Sequence, residues 1–163
     1  MHRPRQEPGA YTLIEVLVVV AIIGTAGAVV VPQLLRPGTM GAQAAGRAII
    51  ADVLFAQNEA IAHQKTRNIV FDRANSSYQI TDENDDLLAV AWKGGGQHSV
   101  SIGADDGFEG VSLGAVDFGG QTVLTFDDLG TPVFGGSIDV GGAGVQYRIN
   151  VAPFTGRVTI DRL

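Results

Sequence analysis

The stretch Gly9-Ala10-Tyr11-Thr12-Leu13-Ile14-Glu15-Val16-Leu17-Val18-Val19-Val20, continuing as Ala21-Ile22-Ile23-Gly24-Thr25-Ala26-Gly27-Ala28-Val29-Val30-Val31-Pro32-Gln33-Leu34-Leu35, organises this chain. From Leu13 to Val31 it runs nineteen residues with a single charge, Glu15. As a helix, that run spans about 28 Å, close to the thickness of a bilayer core. It has the length and apolarity of one membrane crossing. A carboxylate inside such a segment costs roughly 2.5–3.5 kcal/mol on insertion scales, so one retained there is expected to have a partner and a role. Arg3 and Arg5 are the nearest cations, but Pro8-Gly9 separates them from the helix. A cut before Tyr11 supplies a better partner. It creates a cationic α-amine one turn before Glu15, at the helix end that favours negative charge.

These residues resemble the type IV pilins and type II secretion pseudopilins. That family is marked by a short basic leader, a small residue, and then an aromatic residue followed by Thr-Leu-Ile-Glu. Here the order is Ala10, Tyr11, Thr12, Leu13, Ile14, Glu15, and Pro32 falls twenty-one residues after Tyr11, where pilins commonly carry proline. The resemblance implies that a prepilin peptidase cuts between Ala10 and Tyr11. It also implies that the Tyr11 amine is methylated and that Glu15 pairs with a neighbouring subunit's amine during assembly. The residue before the cut is usually Gly, and here it is Ala10, with Gly9 one place earlier. A cut after Gly9 puts Glu15 and Pro32 out of register, so the Ala10–Tyr11 bond is the expected one. An ordinary secretory signal reads the same stretch with Arg3 and Arg5 as its basic end and Ala26-Gly27-Ala28 as its cleavage site. A plain membrane anchor is a third reading. Neither needs Glu15, and the apolar character continues past Ala28 through Val31.

The 163 residues allow one anchor and one modest domain. The net charge of −6 implies no general polyanion-binding surface, so nucleic acid is not an expected partner. The absence of cysteine excludes disulfide frameworks and thiolate metal sites. With Arg3 and Arg5 before the helix, the positive-inside tendency keeps the leader cytoplasmic and places Gln33 onward outside. The expected location is the inner membrane, crossed once, with a periplasmic C-terminal domain.

Residues 1–10 read as the leader, 11–35 as a transmembrane and assembly helix, 36–64 as an amphipathic helix, and 65–163 as an extracytoplasmic β-rich domain. Gly24 and Ala28 form a small-xxx-small pair that lets another helix approach closely. Pro32 predicts a kink. Thr12, Glu15, Gly24 and Pro32 are the residues expected to serve subunit assembly. From Gly41 to His63, Ala45, Ile49, Val53, Ala56 and Ala60 fall in one helical row, with Ile50, Leu54 and Ile61 beside it. Arg47, Asp52 and Glu59 lie off the stripe, so this half packs one face on a domain.

After Lys65 the period becomes strand-like, at Asn68 to Phe71, Tyr78 to Thr81, Leu87 to Trp92, Ser99 to Ile102, Thr122 to Phe126, Ser137 to Val140, Val145 to Val151 and Arg157 to Ile160. Most of the 22 glycines follow residue 93 and cluster between these runs as turns. The links are short, which favours antiparallel neighbours. The expected fold is α+β and pilin-like: a long N-terminal helix, half transmembrane and half amphipathic, packed on antiparallel sheet. This half also resembles the GspH/FimT-like minor subunits in Ala51-Asp52-Val53-Leu54-Phe55-Ala56-Gln57-Asn58-Glu59-Ala60-Ile61, in Thr125-Phe126-Asp127-Asp128-Leu129-Gly130, and in Thr155-Gly156-Arg157-Val158. That branch implies a minor subunit near a filament tip.

Other motifs carry less. Gly110-Val111-Ser112-Leu113-Gly114 matches a nucleophile elbow in letters, but no helix follows it. Asp82, Asn84 and Asp86 alternate like the start of a calcium loop, yet Leu87 and Lys93 stand where an EF-hand needs Gly and Glu. A solvated turn is the better reading, and Asp105-Asp106 is similar. His63 and His98 are isolated and expected at the surface or a helix end. Asn75-Ser76-Ser77 is a chance-level sequon. Trp92 reads as core. Arg148, Arg157 and Arg162 are the basic grouping outside the leader, diluted by Asp139 and Asp161.

The chain is therefore expected to be a minor pseudopilin of a type II secretion system, without catalysis or cofactor. Its expected partners are other pilins or pseudopilins, the prepilin peptidase and the inner membrane. A FimT-like minor pilin acting in pilus assembly or DNA uptake is the alternative. A signal-anchored hydrolase is the reading from an enzyme class.

Overall fold

The computed structural model describes residues 12–34, 37–90, 96–103 and 108–163, without side chains at 29–34 and 37–39. The chain divides into two units, Met1–Arg36 and Pro37–Leu163. The first holds helix α1 (Leu13–Leu34).

The second unit opens with α2 (Pro37–His63). Proline suits the first helical position because an N–H there has no intrahelical partner to lose. At the other end Gln64 turns left-handed at φ 52°, Lys65 N–H donates to the Ala60 carbonyl at 3.2 Å, and Gln64 N–H to that of Ile61 at 3.4 Å. This six-to-one, five-to-two pattern is a Schellman stop formed without glycine.

Among the described residues ten strands follow: β1 (Arg67–Asp72), β2 (Ser77–Thr81), β3 (Ala89–Val90), β4 (Gly96–Gln97), β5 (Ser99–Ser101), β6 (Val111–Phe118), β7 (Val123–Phe126), β8 (Gly136–Gly142), β9 (Val145–Val151) and β10 (Val158–Arg162). They form two four-stranded antiparallel sheets, ordered β5-β2-β1-β7 and β10-β9-β8-β6, and a β3-β4 ribbon. Helix α2 lies against both large sheets, mainly on β8 and β9. The expected stripe is the buried one: Ala45, Ile49, Val53, Ala56 and Ala60 are at most 1% exposed. Alanine on three turns lets the sheets approach closely, while Ile49 and Val53 each contribute about 1.5–3 kcal/mol by burial. Across the core Phe71 of β1 stacks on Phe118 of β6, ring centroids 6.2 Å apart.

The residues flanking the stripe do not behave alike. Ile50 is half-buried, but Leu54 and Ile61 are 44% and 50% exposed: β10 is the last strand of its sheet on the side of Leu54, and Ile61 is covered in part by Gly130, where a Cβ would lie 2.5 Å from its Cγ1.

The longest strand, β6, is missing from a reading by apolar runs. Gly110, Gly114 and Gly119 interrupt that region, and a register shift between Leu113 and Val116 breaks its alternation. Gly114 sits at this bulge because a Cβ there would lie 2.9 Å from the Asp139 Cβ. Ser112 projects from the exposed face of the strand, which rules out a strand-to-helix elbow. The described part of the run expected from Leu87 to Trp92, residues 87–90, contains the two-residue β3 and a bridge from Leu87 to Thr81. Trp92, Lys93 and Asp105-Asp106 lie outside the described residues. Between β8 and β9, Ala143 and Gly144 take φ of 50° and 79°, the two left-handed positions that a two-residue hairpin needs.

Candidate assembly surface

The start of α1 is built from Thr12. Glu15 N–H donates to its Oγ1 at 3.3 Å and its carbonyl at 3.0 Å, and Val16 N–H donates to the same carbonyl at 3.3 Å. Thr12 is thus the N-cap and Glu15 the third helical residue, the spacing of a capping box. One residue pair therefore fixes where the helix begins and places a carboxylate in its first turn.

Beyond Glu15 the described surface of α1 is apolar all round. Leu13, Ile14, Leu17, Val20, Ile22 and Ile23 are each more than 60% exposed within this unit. A helix apolar on every side is stable only when lipid or other protein covers it. Its one described hydroxyl is returned to the backbone, Thr25 Oγ1 donating to the carbonyls of Ala21 and Ile22, both at 3.0 Å. Gly24 and Gly27 face open space, so neither is needed for packing inside the unit. Glu15 edges a shallow hollow with Val16, Val19 and Val20. Ala10 and Tyr11 lie outside the described residues, and Pro32 is described only as backbone within α1. Among the described residues no helix is long and apolar enough to cross a membrane, the described side chains of α1 ending at residue 28.

In the second unit the polar side chains hold elements together. Asp52 leaves α2 off the apolar stripe and meets two partners from the β5-β2-β1-β7 side. The Tyr78 hydroxyl donates to its Oδ2 at 2.5 Å, and His98 Nε2 lies 2.8 Å from its Oδ1. His98 is therefore not the surface or helix-end residue that its isolation in sequence suggests. It is 2% exposed and meets the Phe55 ring edge-on, centroids 6.0 Å apart. The sequence offers one clue to this, the serine-valine-serine strand that follows His98 and carries it against α2.

Arg67 is also buried, its Nη1 donating to the Thr66 carbonyl at 2.9 Å and to Glu83 Oε2 at 3.1 Å. Lys65 Nζ reaches the other Glu83 oxygen at 2.6 Å. The acidic 82–86 loop closes on itself, Asp82 Oδ1 accepting from the N–H groups of Asn84 and Asp86 at 2.8 and 3.0 Å. Among the described residues no three His, Cys, Asp or Glu side chains are grouped to hold a metal ion. Arg148 is engaged by Asp139 through two 2.7 Å bonds, which removes it from any basic surface with Arg157 and Arg162.

The Lys65 hydrogen bond is the main reason that Glu83 titrates below the ordinary carboxylate range. The Asn75 side chain, 2.6 Å from Asp72 Oδ2, does the same for Asp72. Both folded-state values are depressed, so the stability that these groups add is present above the unfolded carboxylate pKa and is lost as pH falls through the folded values. Thermal melts between pH 7 and pH 2 should therefore lose midpoint only on the acid side. The loss should shrink in Glu83→Gln and Asp72→Asn. A flat acid limb would remove these two carboxylates as contributors.

A long helix packed on two antiparallel four-stranded sheets gives the Pro37–Leu163 unit a pilin-like α+β fold. Two solved structures resemble it closely enough to establish the fold. The minor pseudopilin EpsH from the type 2 secretion system of Vibrio cholerae superposes with a TM-score of 0.52 at 14% identity, over 74% of this chain and 96% of that one. The type IV minor pilin FimU of Pseudomonas aeruginosa gives 0.51 at 17% identity, over 74% of this chain and 87% of that one. No family model matches the sequence, and no curated protein does.

Proposed function

We propose that this chain is a minor pseudopilin of a type II secretion system, made as a membrane-anchored precursor and assembled with other pilin-like subunits through its N-terminal helix. The observation that carries this reading is the all-round apolar α1, with Glu15 as its one described charge, joined to a domain of the EpsH and FimU fold. Such a helix needs lipid before assembly and other helices after it, and a carboxylate in its first turn suits a cationic amine. In this reading the prepilin peptidase cuts between Ala10 and Tyr11, the new amine is methylated, and the domain stands on the periplasmic side of the inner membrane.

The FimU likeness supports a second reading, a minor subunit of a type IV pilus, to nearly the same degree. Its variant as a DNA-uptake pilin is disfavoured by the pairing of Arg148 with Asp139. Intact mass and N-terminal sequencing of membrane-extracted protein test the precursor chemistry. The expected result is a chain that starts at methylated Tyr11. A start at Val29 would replace this reading with an ordinary exported protein. Whether a deletion strain loses protein secretion or surface pili separates the two systems.

A further inference from the structure

The four-stranded sheet β10-β9-β8-β6 ends in the free edge of β10, and the geometry there is open in an ordered way. Leu163 N–H donates to the Gln146 carbonyl, and Ala152 N–H donates to the Arg157 carbonyl, both at 2.9 Å. Antiparallel ladders alternate, so the odd-numbered residues of β10 face β9, and Val158, Ile160 and Arg162 turn their N–H and C=O groups outward. Among the described residues no backbone group bonds to them. Thr159 through Leu163 are all exposed.

Helix α2 runs beside this edge. Ile160 rests on Gly46, where a Cβ would lie 3.1 Å from its Cδ1. Gln57 Nε2 donates to the Thr155 carbonyl at 3.2 Å, just before β10 begins. Between those two contacts the same flank carries Ile50 and Leu54, with Ile61 beyond. These three lie within about 80° of Gly46 around the helix, and Arg47 sits about 100° round at the outer border. Asp52 and Glu59 fall on the opposite flank. The result is a channel with an unpaired backbone edge on one wall, the half-exposed Ile160, Ile50 and Leu54 along its floor, and Arg162 on the same strand face as Ile160 at one end.

We propose that this channel takes up an extended segment of a different protein, which adds an antiparallel strand to β10. The segment carries apolar side chains at alternate positions and an acidic one opposite Arg162. Main-chain bonds to Val158, Ile160 and Arg162 would supply the ladder, and the apolar positions would cover Ile160, Ile50 and Leu54. Charge selects the partner. The exposed cations at the channel are Arg47 and Arg162, whereas Asp161 lies on the other face of β10 and accepts from Asn150 Nδ2 at 2.9 Å, and the exposed Asp128 belongs to the loop beside Ile61, at the opposite end from Arg162. Two copies of this chain joined edge to edge about Ile160 would set each Arg162 opposite Val158, with no acid to meet it, so a foreign acidic strand fits better. The single inward arginine and the short edge also fit a strand that avoids indiscriminate pairing. This inference does not depend on which secretion or pilus system the chain serves.

The probe is a fluorescein-labelled peptide, Glu-Thr-Val-Thr-Val-Thr, which places glutamate opposite Arg162 and valines over the floor. It is titrated with the full chain in detergent micelles, with anisotropy as the readout. Saturable binding is expected. It should weaken by about tenfold or more with Arg162→Glu, with Leu54→Asp, and when the two valine amides of the peptide are N-methylated. Leu54 and Arg162 are exposed, so melting of the variants should match the parent. The proposal is overturned if the parent does not bind the peptide or if the N-methylated peptide binds equally well. It is also overturned if sedimentation shows the parent forming a dimer that Arg162→Pro dissolves, since the occupant would then be a second copy.

Discussion

Replacing Asp52 with alanine should lower the stability of the Pro37–Leu163 unit by about 3 kcal/mol, the range measured when one partner of a buried polar pair is removed. The site justifies a value well above that of a surface pair. His98 is 2% exposed, the Asp52 side chain 14%, and the carboxylate serves both His98 and the Tyr78 hydroxyl. Alanine takes a partner from each of them and leaves their polar atoms among Phe55, Phe71 and the α2 stripe. It also unties α2 from β2 and from the segment leading into β5. For a unit of this size the loss corresponds to a fall in melting midpoint of roughly 10 °C. Asp52→Asn keeps the shape and one acceptor and should lose less, and Tyr78→Phe should lose about 1 kcal/mol, one hydrogen bond's worth. Differential scanning calorimetry of the three variants checks the ranking. An Asp52→Ala midpoint within 2 °C of the parent, as at an exposed site, would falsify the claim that this cluster holds the helix to the sheet.

Glu15→Ala should abolish or strongly reduce co-purification with partner subunits, and with it secretion or piliation, while leaving the outer domain folded. A carboxylate in an apolar helix costs roughly 2.5–3.5 kcal/mol to insert, so its removal should leave insertion intact or improve it. The cap at the helix start survives, because Thr12 Oγ1 bonds the Glu15 backbone and not its side chain. What is lost is the attraction to a neighbour's amine. Glu15→Asp retains the charge and should lose less, limited by its shorter reach. Crosslinking to partner subunits and measured output of the cell are the two readouts. If Glu15→Ala crosslinks and supports output as the parent does, α1 is a tether and the assembly role is wrong.

The α2 stripe from Ala45 to Ala60 was legible because a helix repeats locally, and the side chains that must meet are three or four residues apart. The apolar length of α1 and the α+β class follow from local pattern in the same way. Turn chemistry marked most of the hairpins, since glycine at a left-handed position such as Gly144 is a requirement of the residue itself. The resemblance to pilins extended this reading to the likeness that the fold bears out. The structure decided what depends on contacts between residues distant in sequence. His98, Tyr78 and Asp52 carry no shared spacing; they meet because β2 and the start of β5 are laid against one flank of α2. Strand β6 is a strand because β8 pairs with it around a bulge, which its glycine-broken sequence conceals. Arg148 is neutralised because the β8–β9 register sets it opposite Asp139. Leu54 and Ile61 lie beside the apolar row in sequence yet stay half-exposed, since the end of the sheet at β10 and the reach of the Gly130 loop determine how far round the helix burial extends.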